Sequence, residues 1–380
     1  MAARETKKTL LCFPNSFGFG PTGMLLSVLD RIKSMWEGTI VVASKSWSQD
    51  IVGDKSRYVL TYVDERSSRD ILEFINRYEN SYVISSLNRF AVEACKWGSI
   101  PCVFLDSLSW FWDNIPEYYF DADRYYAEDF LSTSINVKKL DGEKRKKVCL
   151  LPLIVDDKLR RFEIAGISSF DYTLYISALR SPFFPNLVPE AYLNLISLAL
   201  NSLDLKKQNV LLTSCQVNLG FLSEKITNGR VRLATLPMND YMSAVKNSRL
   251  SITMGGYNAA KNALANGTPL SFILPMNKTQ WALARECKKF DYLQQVLEWA
   301  NYIDNFDIAF VKAAQEKDVI AYFVELSERV YGDRHNREKF IADFSKMFDQ
   351  DSEIKTKAID LKIDNGDFMV NDLLKFWDMR

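Results

Sequence analysis

Short apolar runs alternate with amphipathic stretches along most of the 380 residues. Runs at 9–14, 39–43, 58–63, 82–86, 101–105, 124–130 and 147–153 are rich in Val, Ile, Leu, Phe and Tyr, the composition of buried strands. Between them, 24–35, 68–77 and 88–97 repeat apolar residues at the three-to-four spacing of a helix. Strands alternating with helices of these lengths predict a parallel sheet covered on both faces. The alternation resumes with strands at 172–177, 209–213, 230–235, 250–254 and 270–274, a helix at 188–203, and a short helix after the loop containing Pro237 and Asp240. From 279 to 331 the pattern is helical, with further helices at 338–349 and 371–379. A chain of this length favours two domains over one. No Gly/Ser-rich linker marks their join.

One stretch stands apart. Residues 249–275 read RLSITMGGYNAAKNALANGTPLSFILP: a strand, Gly255-Gly256, an alanine-rich helix opened by Tyr257-Asn258, then Gly267-Thr268-Pro269 and a second strand closed by Pro275. Alanine is the strongest helix former, glycine just past a helix lets it end, and proline prevents its continuation. Two glycines at the carboxyl end of a strand let a ligand reach the backbone. The helix that follows presents N–H groups and a positive dipole end to an anion such as a diphosphate. A second glycine turn follows the first strand, where Gly18, Gly20 and Gly23 satisfy G-x-G-x-x-G ahead of a helix. In an NAD domain the second strand ends in an acidic residue that holds the ribose. Here Ser44-Lys45-Ser46 stands in its place. Lys45 suits a 2′-phosphate, so an NADP-dependent or non-catalytic nucleotide-binding protein stays open as an alternative.

The strand at 101–105 runs into Asp106 and then the aromatic segment Trp110-Phe111-Trp112-Asp113, followed by Tyr118-Tyr119-Phe120. Aromatics crowded at a ligand-binding edge either pack under the loop or form a stacking platform for a flat or sugar-like acceptor. Asp106 is either a turn cap or a general base. Composition removes other classes. Lys+Arg and Asp+Glu each number 48, so no basic excess points to nucleic acid, and the short cluster Lys144 to Lys147 reads as a solvated loop. No run approaches the about 18 apolar residues of a membrane span, and the N-terminus MAARETKKTLLCF carries no signal-peptide core. The cysteines, Cys12, Cys95, Cys102, Cys149, Cys215 and Cys287, form no C-x-x-C pair, and His335 is the one histidine. This predicts reduced core thiols in a cytoplasmic protein and no metal site.

Residues 231–275 resemble the carboxyl-terminal half of nucleotide-sugar glycosyltransferases of the GT-B fold, most of all the inverting family 28 enzymes and their UDP-glycosyltransferase relatives. That group reads strand, short helix, strand, Gly-Gly turn, helix, Gly-x-Pro, strand, Pro, and this chain keeps the order. The resemblance implies an α/β chain with two Rossmann-like, doubly wound parallel-sheet domains facing across a cleft. Residues 1–160 would bind the acceptor and 161–365 the donor. Residues 366–380 would form a final helix crossing back to the first domain, anchored by Phe376 and Trp377. It further implies a metal-independent, inverting transfer from a UDP-sugar to a small acceptor, with no cofactor beyond the donor substrate.

Site residues follow from the same resemblance. Gly255, Gly256, Tyr257 and Asn258 would meet the diphosphate, with Gly18, Gly20 and Arg180 near it. The family's acidic residue on the uridine ribose is Asn262 here, a departure that bears on the identity of the nucleotide. Asn277, Lys278 and Gln280 match polar residues near the sugar. The family's histidine base is missing, Gly20 being its nearest counterpart, and Asp106 takes that role by position. Asn15, Ser16, Trp110, Trp112 and Asp113 would line the acceptor. The segment Asp106-Ser107-Leu108-x-Trp110-x-Trp112 also resembles cytosylglucuronate synthases, which implies UDP-glucuronic acid as donor and cytosine as acceptor. An acidic sugar then needs a cation, Arg180 or Lys278. Asp121-Ala122-Asp123 matches the D-x-D of metal-dependent single-domain glycosyltransferases, which the second half of the chain contradicts.

Overall fold

The computed structural model describes residues 8–15, 20–44, 58–155, 170–176, 189–236, 238–349, 361–364 and 366–378. The chain forms two compact units, Met1–Asp156 with Leu361–Arg380, and Asp157–Asp360.

The first unit is built on β1 (Thr9–Pro14), β2 (Thr39–Ala43), β3 (Val59–Thr61), β4 (Ser81–Ser86), β5 (Cys102–Asp106), β6 (Arg124–Glu128) and β7 (Val148–Leu151). They form one sheet in the order β3-β2-β1-β4-β5-β6-β7, each neighbouring pair parallel. Parallel strands must be covered on both faces, which is why β1 is apolar and buried along its length. One face packs Leu10, Cys12, Leu105 and Tyr126 against α1 (Gly20–Lys33). The other packs Leu11, Phe13, Val41, Phe104 and Tyr125 beneath α2 (Ser68–Ile75) and α3 (Arg89–Gly98). Helices α4 (Thr133–Lys138) and α5 (Gly142–Lys147) link β6 to β7, and β8 (Leu153–Ile154) follows.

In the second unit β9 (Tyr172–Tyr175), β10 (Val210–Thr213), β11 (Val231–Ala234), β12 (Leu250–Thr253) and β13 (Leu270–Phe272) form a parallel sheet in the order β11-β10-β9-β12-β13. Its helices are α6 (Glu190–Ser202), α7 (Gln216–Ser223), α8 (Met238–Lys246), α9 (Tyr257–Ala265), α10 (Lys278–Lys289), α11 (Ile308–Ala313), α12 (Glu316–Gly332) and α13 (Arg334–Lys346). Leu174, Leu212 and Ile252 pack against Leu193, Ile196, Phe323, Phe340 and Phe344 of α6, α12 and α13. In both sheets the strand order reverses, next to β1 and next to β9, and such switch points place the ligand crevice at the carboxyl ends of the strands.

The chain returns to the first unit through β14 (Ile363–Asp364), which pairs with β8, and α14 (Asp367–Asp378). Trp377 of α14 packs at 5.5 Å from Trp36 and 5.0 Å from Tyr82. Asp372 receives hydrogen bonds from Arg124 at 2.9 Å and from the Tyr126 hydroxyl at 2.8 Å.

Three sequence expectations change. The strand expected at 147–153 is divided by Pro152, which lacks the N–H a continuous ladder needs. The helical run expected at 279–331 is interrupted: Gln294 to Leu297 lie along the edge of β13, with Phe272 N–H bonding Gln295 and Leu297 N–H bonding Phe272. Asp291 and Asn305, both with positive φ, turn the chain there. Lys144 to Lys147 lie in helix α5 rather than a loop, and Lys144 reaches Glu117 at 2.6 Å. Among the described residues no helix is long and apolar enough to cross a membrane.

Candidate functional site

The Gly-Gly turn sits where β12 runs into α9. Gly255 has φ +90°, a conformation that favours glycine. A Cβ there would lie 2.9 Å from the Gln280 carbonyl oxygen. Gly256 is different. Its φ of −68° suits any residue, and a Cβ would meet nothing closer than Tyr175 at 3.8 Å. Among the described residues neither backbone nor packing demands glycine at 256, so its small size keeps a side chain away from the helix start. Gly256 is the N-cap of α9 and, as a glycine, brings no capping side chain of its own. The orphan N–H groups of a helix start bind anions in this geometry. The helix ends at Asn266 and Gly267, the latter at φ +70°.

Tyr257 and Asn262 on α9 are buried and Asn258 is half-buried. Sequence reasoning overlooks Lys261. It is only 3% exposed, and its ammonium lies 5.4 Å from the centre of the Tyr257 ring one turn back. Side chains on a helix lean toward its N-terminus, so this charge is drawn back toward the Gly-Gly turn. The signal was a lone charge in an otherwise uncharged, alanine-rich helix.

The loop after β13 is tied down at each residue. Tyr192 donates to Leu274 O at 3.0 Å and Trp299 Nε1 to Pro275 O at 2.7 Å. Asn277 caps α10 by accepting from Gln280 N–H, and the Gln280 side chain accepts from Met276 N–H. Asn277 and Gln280 thus shape the loop with their polar atoms. Lys278 departs most from expectation: its ammonium donates to Lys312 O and Ala314 O at the end of α11, and its N–H to Glu316 Oε1 at 3.2 Å. Burial pushes the Glu316 carboxyl up to about 7, against the Lys278 N–H and charge, which favour the carboxylate.

In the first unit the residues expected at the acceptor divide into buried and open. Asp106 ends β5 fully buried. Its carboxylate accepts from Leu108 N–H at 2.5 Å and from the Tyr125 hydroxyl. Burial raises its pKa to about 6, although hydrogen bonds from Tyr125, Leu108 and Ser109 favour the charged form. Its two contacts tie the turn after β5 to Tyr125 and enclose the carboxylate. Trp110 is core, its indole donating to Ser107 O at 2.9 Å, so it offers no stacking face. Trp112 is half-buried against Phe111 and Tyr119, while Asp113 is exposed. Asn15 joins the ends of β1 and β4, its amide donating to Leu87 O at 2.9 Å. Gly20 opens α1, and among the described residues nothing lies within 4 Å of where a Cβ would stand. Ser16, Gly18 and Arg180 lie outside the described residues.

The D-x-D carboxylates serve the fold, since Asp121 pairs with Lys96 at 2.8 Å and Asp123 accepts from Cys102 N–H at 2.8 Å. Among the described residues no group of His, Cys, Asp and Glu is placed to hold a metal ion.

Two parallel α/β units, each with a switch point, a glycine turn after β12 and a last helix packed on the first unit, define the fold as GT-B. Solved structures of similar fold cover nearly the whole chain. A UDP-glucosyltransferase from Polygonum tinctorium, capable of glucosylating indoxyl, is 12% identical over 98% of this chain and 99% of its own, with a TM-score of 0.54. MnaA of S. aureus bound to UDP is 12% identical over 98% of each chain, also at 0.54. UGT89C1 of Arabidopsis thaliana complexed with UDP is 11% identical over 97% of this chain and all of its own, at 0.52. At such identities the likeness is one of fold. No protein-family model matches the chain, and no curated protein matches its sequence.

Proposed function

We propose that this chain is a glycosyltransferase that takes a sugar from a nucleoside diphosphate, UDP in the first instance, and passes it to a small acceptor with inversion. The observation that carries the reading is Gly256. It keeps the helix start at the carboxyl end of β12 clear of a side chain that the backbone and its described neighbours would accept, which leaves that space to a diphosphate. The fold alone hosts several chemistries, so the weight rests on this turn; structures of similar fold with UDP bound support the choice of nucleotide.

As the glycosyl bond breaks, negative charge grows on the leaving diphosphate. N–H groups at the start of α9 and its dipole meet that charge without reorganising. The buried Lys261 adds a positive field on the same helix. Asn262 replaces an acidic ribose contact with an amide, which still bonds hydroxyls. For the acceptor we assign the open edge of the aromatic segment, Phe111, Trp112 and Asp113. A nucleobase acceptor with a glucuronyl donor is the finer form of the reading, and it draws on Trp112 alone of the two tryptophans. The proton acceptor we assign is Asp113, an exposed carboxylate; nearby Glu117 is paired with Lys144, and Asp106 acts by holding the turn.

Calorimetry with UDP, other nucleoside diphosphates and NADP tests the reading. UDP should bind, Gly256→Val should abolish binding in a folded protein, and NADP should not compete. Tight NADP binding that survives Gly256→Val would turn the assignment toward the first glycine turn and a reductase.

A further inference from the structure

Lys278 and Glu316 stand out because neither does what its chemistry suggests. A lysine at the carboxyl edge of a ligand-binding sheet is expected to meet an anion, yet its ammonium bonds two backbone carbonyls, Lys312 O at 2.5 Å and Ala314 O at 3.1 Å. A glutamate at the start of a helix is expected to stabilise its own dipole. Glu316, the first residue of α12, instead reaches a different helix start, accepting the N–H of Lys278, first residue of α10, at 3.2 Å. The two contacts run in opposite directions between the start of α10 and the α11–α12 connection: α10 gives its ammonium to the end of α11, and α12 gives its carboxylate to the start of α10.

What this pair holds is the first turn of α10. Gln280 lies in that turn, and the space beside Gly255 is filled by Gln280 backbone, its carbonyl oxygen 2.9 Å and its Cα 3.4 Å from where a Cβ would stand. That backbone takes the space a side chain at 255 would need, so the position of the turn decides what lies against Gly255. If it moved away, Gly255 would lose its support. We propose that Glu316 and Lys278 form a latch that positions the first turn of α10 under Gly255, and so fixes the Gly255–Gly256 backbone for the ligand. This inference rests on the reading of that turn as the diphosphate site. It gives Lys278 a positioning role in place of a contact to the sugar.

The latch is sensitive to charge. Neutralising Glu316 weakens a charge-assisted hydrogen bond to Lys278 N–H. Its carboxyl is pushed up to about 7 by burial, so that change falls near neutral pH. The groups acting on the carboxylate are the Lys278 N–H and, across the same contact, the Lys278 ammonium. Lys312 of α11 contributes its carbonyl and leaves its side chain exposed, and Lys317 and Asp318 of α12 are exposed.

The test uses the full chain and three variants: Glu316→Gln, which keeps an acceptor without charge, Glu316→Ala, which keeps neither, and Lys278→Met. Trp299 reports on the loop directly, because its indole N–H bonds Pro275 O. In the wild type the Trp299 indole resonance should move with pH around a midpoint near 7, and in Glu316→Gln it should not. At pH 8, Glu316→Ala should exchange the Lys278 amide about tenfold faster and bind UDP about tenfold more weakly, the loss expected for one buried hydrogen bond. Glu316→Gln should return UDP affinity to within about threefold of wild type, and Lys278→Met should fall between them. A wild type that binds UDP alongside a Glu316→Ala variant that binds it equally well overturns the latch and leaves the site standing. A wild type that binds no UDP overturns the reading on which the latch depends. An indole resonance that titrates identically in wild type and Glu316→Gln removes Glu316 from the mechanism.

Discussion

A Cβ at Gly255 would collide with the backbone of Gln280, and one at Gly256, the next residue, would meet only ordinary contacts with Tyr175 and Ala259 among the described residues. This contrast separates the two glycines by cause. Gly255 is required by the fold, through its positive φ and through Gln280 O, which lies 2.9 Å from where a Cβ would stand. Gly256 is required by neither.

Gly255→Ala should therefore lower stability by about 2 to 3 kcal/mol, from the left-handed backbone and the overlap together. Gly256→Ala should leave stability within about 1 kcal/mol of wild type, since alanine accepts that backbone and stiffens the unfolded chain. UDP affinity should nevertheless fall in Gly256→Ala. Urea unfolding and calorimetry on both proteins read the two effects; a Gly256→Ala variant that unfolds early yet binds UDP normally would invert the assignment.

The glycine turn, the strand runs and the stop at Gly267 were legible in the sequence because each depends on local chemistry: apolar spacing, backbone freedom, a missing side chain. The destinations of single side chains were not. Lys278, Trp110 and Asp106 all occupy the positions expected of ligand-binding residues. Each is claimed by a partner that periodicity cannot show: a helix end more than 30 residues away for Lys278, the Ser107 carbonyl for Trp110, the Tyr125 hydroxyl for Asp106. The break in the helical run after 289 was hidden for the same reason, because Gln294 to Leu297 are extended by hydrogen bonds to β13 rather than by their own composition.

Lys261 makes a second prediction. A buried ammonium over the Tyr257 ring is tolerated at a desolvation cost. Lys261→Met keeps the length of the side chain and removes the charge. Stability should hold or rise, while affinity for UDP should drop about tenfold and affinity for uridine should not change, because only the former carries charge for the lysine to act on. Equal losses for UDP and uridine would show a packing effect instead.

A third concerns the last helix. Asp372 on α14 takes hydrogen bonds from both Arg124 and Tyr126, with the two charged side chains about 30% exposed. Partial burial and a forked Arg–carboxylate geometry make the pair worth more than a surface bridge. Asp372→Ala should cost about 2 kcal/mol and leave UDP affinity unchanged, since every contact it loses lies within the first unit. Thermal unfolding and calorimetry on the one protein decide it. Weakened UDP binding would mean that α14 influences the nucleotide site.

The last prediction separates Asp106 from Asp113. Asp106 is a carboxylate whose folded-state pKa is raised, from 3.8 to about 6, chiefly by burial. A raised carboxyl favours the folded state while protonated, so its contribution is fully present below about pH 3.8 and is lost as pH climbs through about 6. The span corresponds to about 3 kcal/mol, taking 1.4 kcal/mol per tenfold change in proton affinity. Asp106→Asn keeps an acceptor for Leu108 N–H, turns its amide N–H toward the Tyr125 hydroxyl oxygen, and never ionises. Its stability should gain on the wild type by up to that amount between about pH 4 and pH 7.5; the contribution of Glu316, raised in the same sense, cancels between the two proteins. Turnover tells the remaining part. With Asp113 as the proton acceptor, Asp113→Asn should cost about 100- to 10,000-fold in kcat at unchanged UDP affinity, while Asp106→Asn stays within about tenfold of wild type. A stability gap that does not change with pH would show that Asp106 titrates in the folded protein as it does in the unfolded chain, with no raised pKa. A large loss of turnover in Asp106→Asn, with Asp113→Asn active, would return the base to the buried carboxylate and require the Ser107–Trp110 turn to open when the acceptor binds.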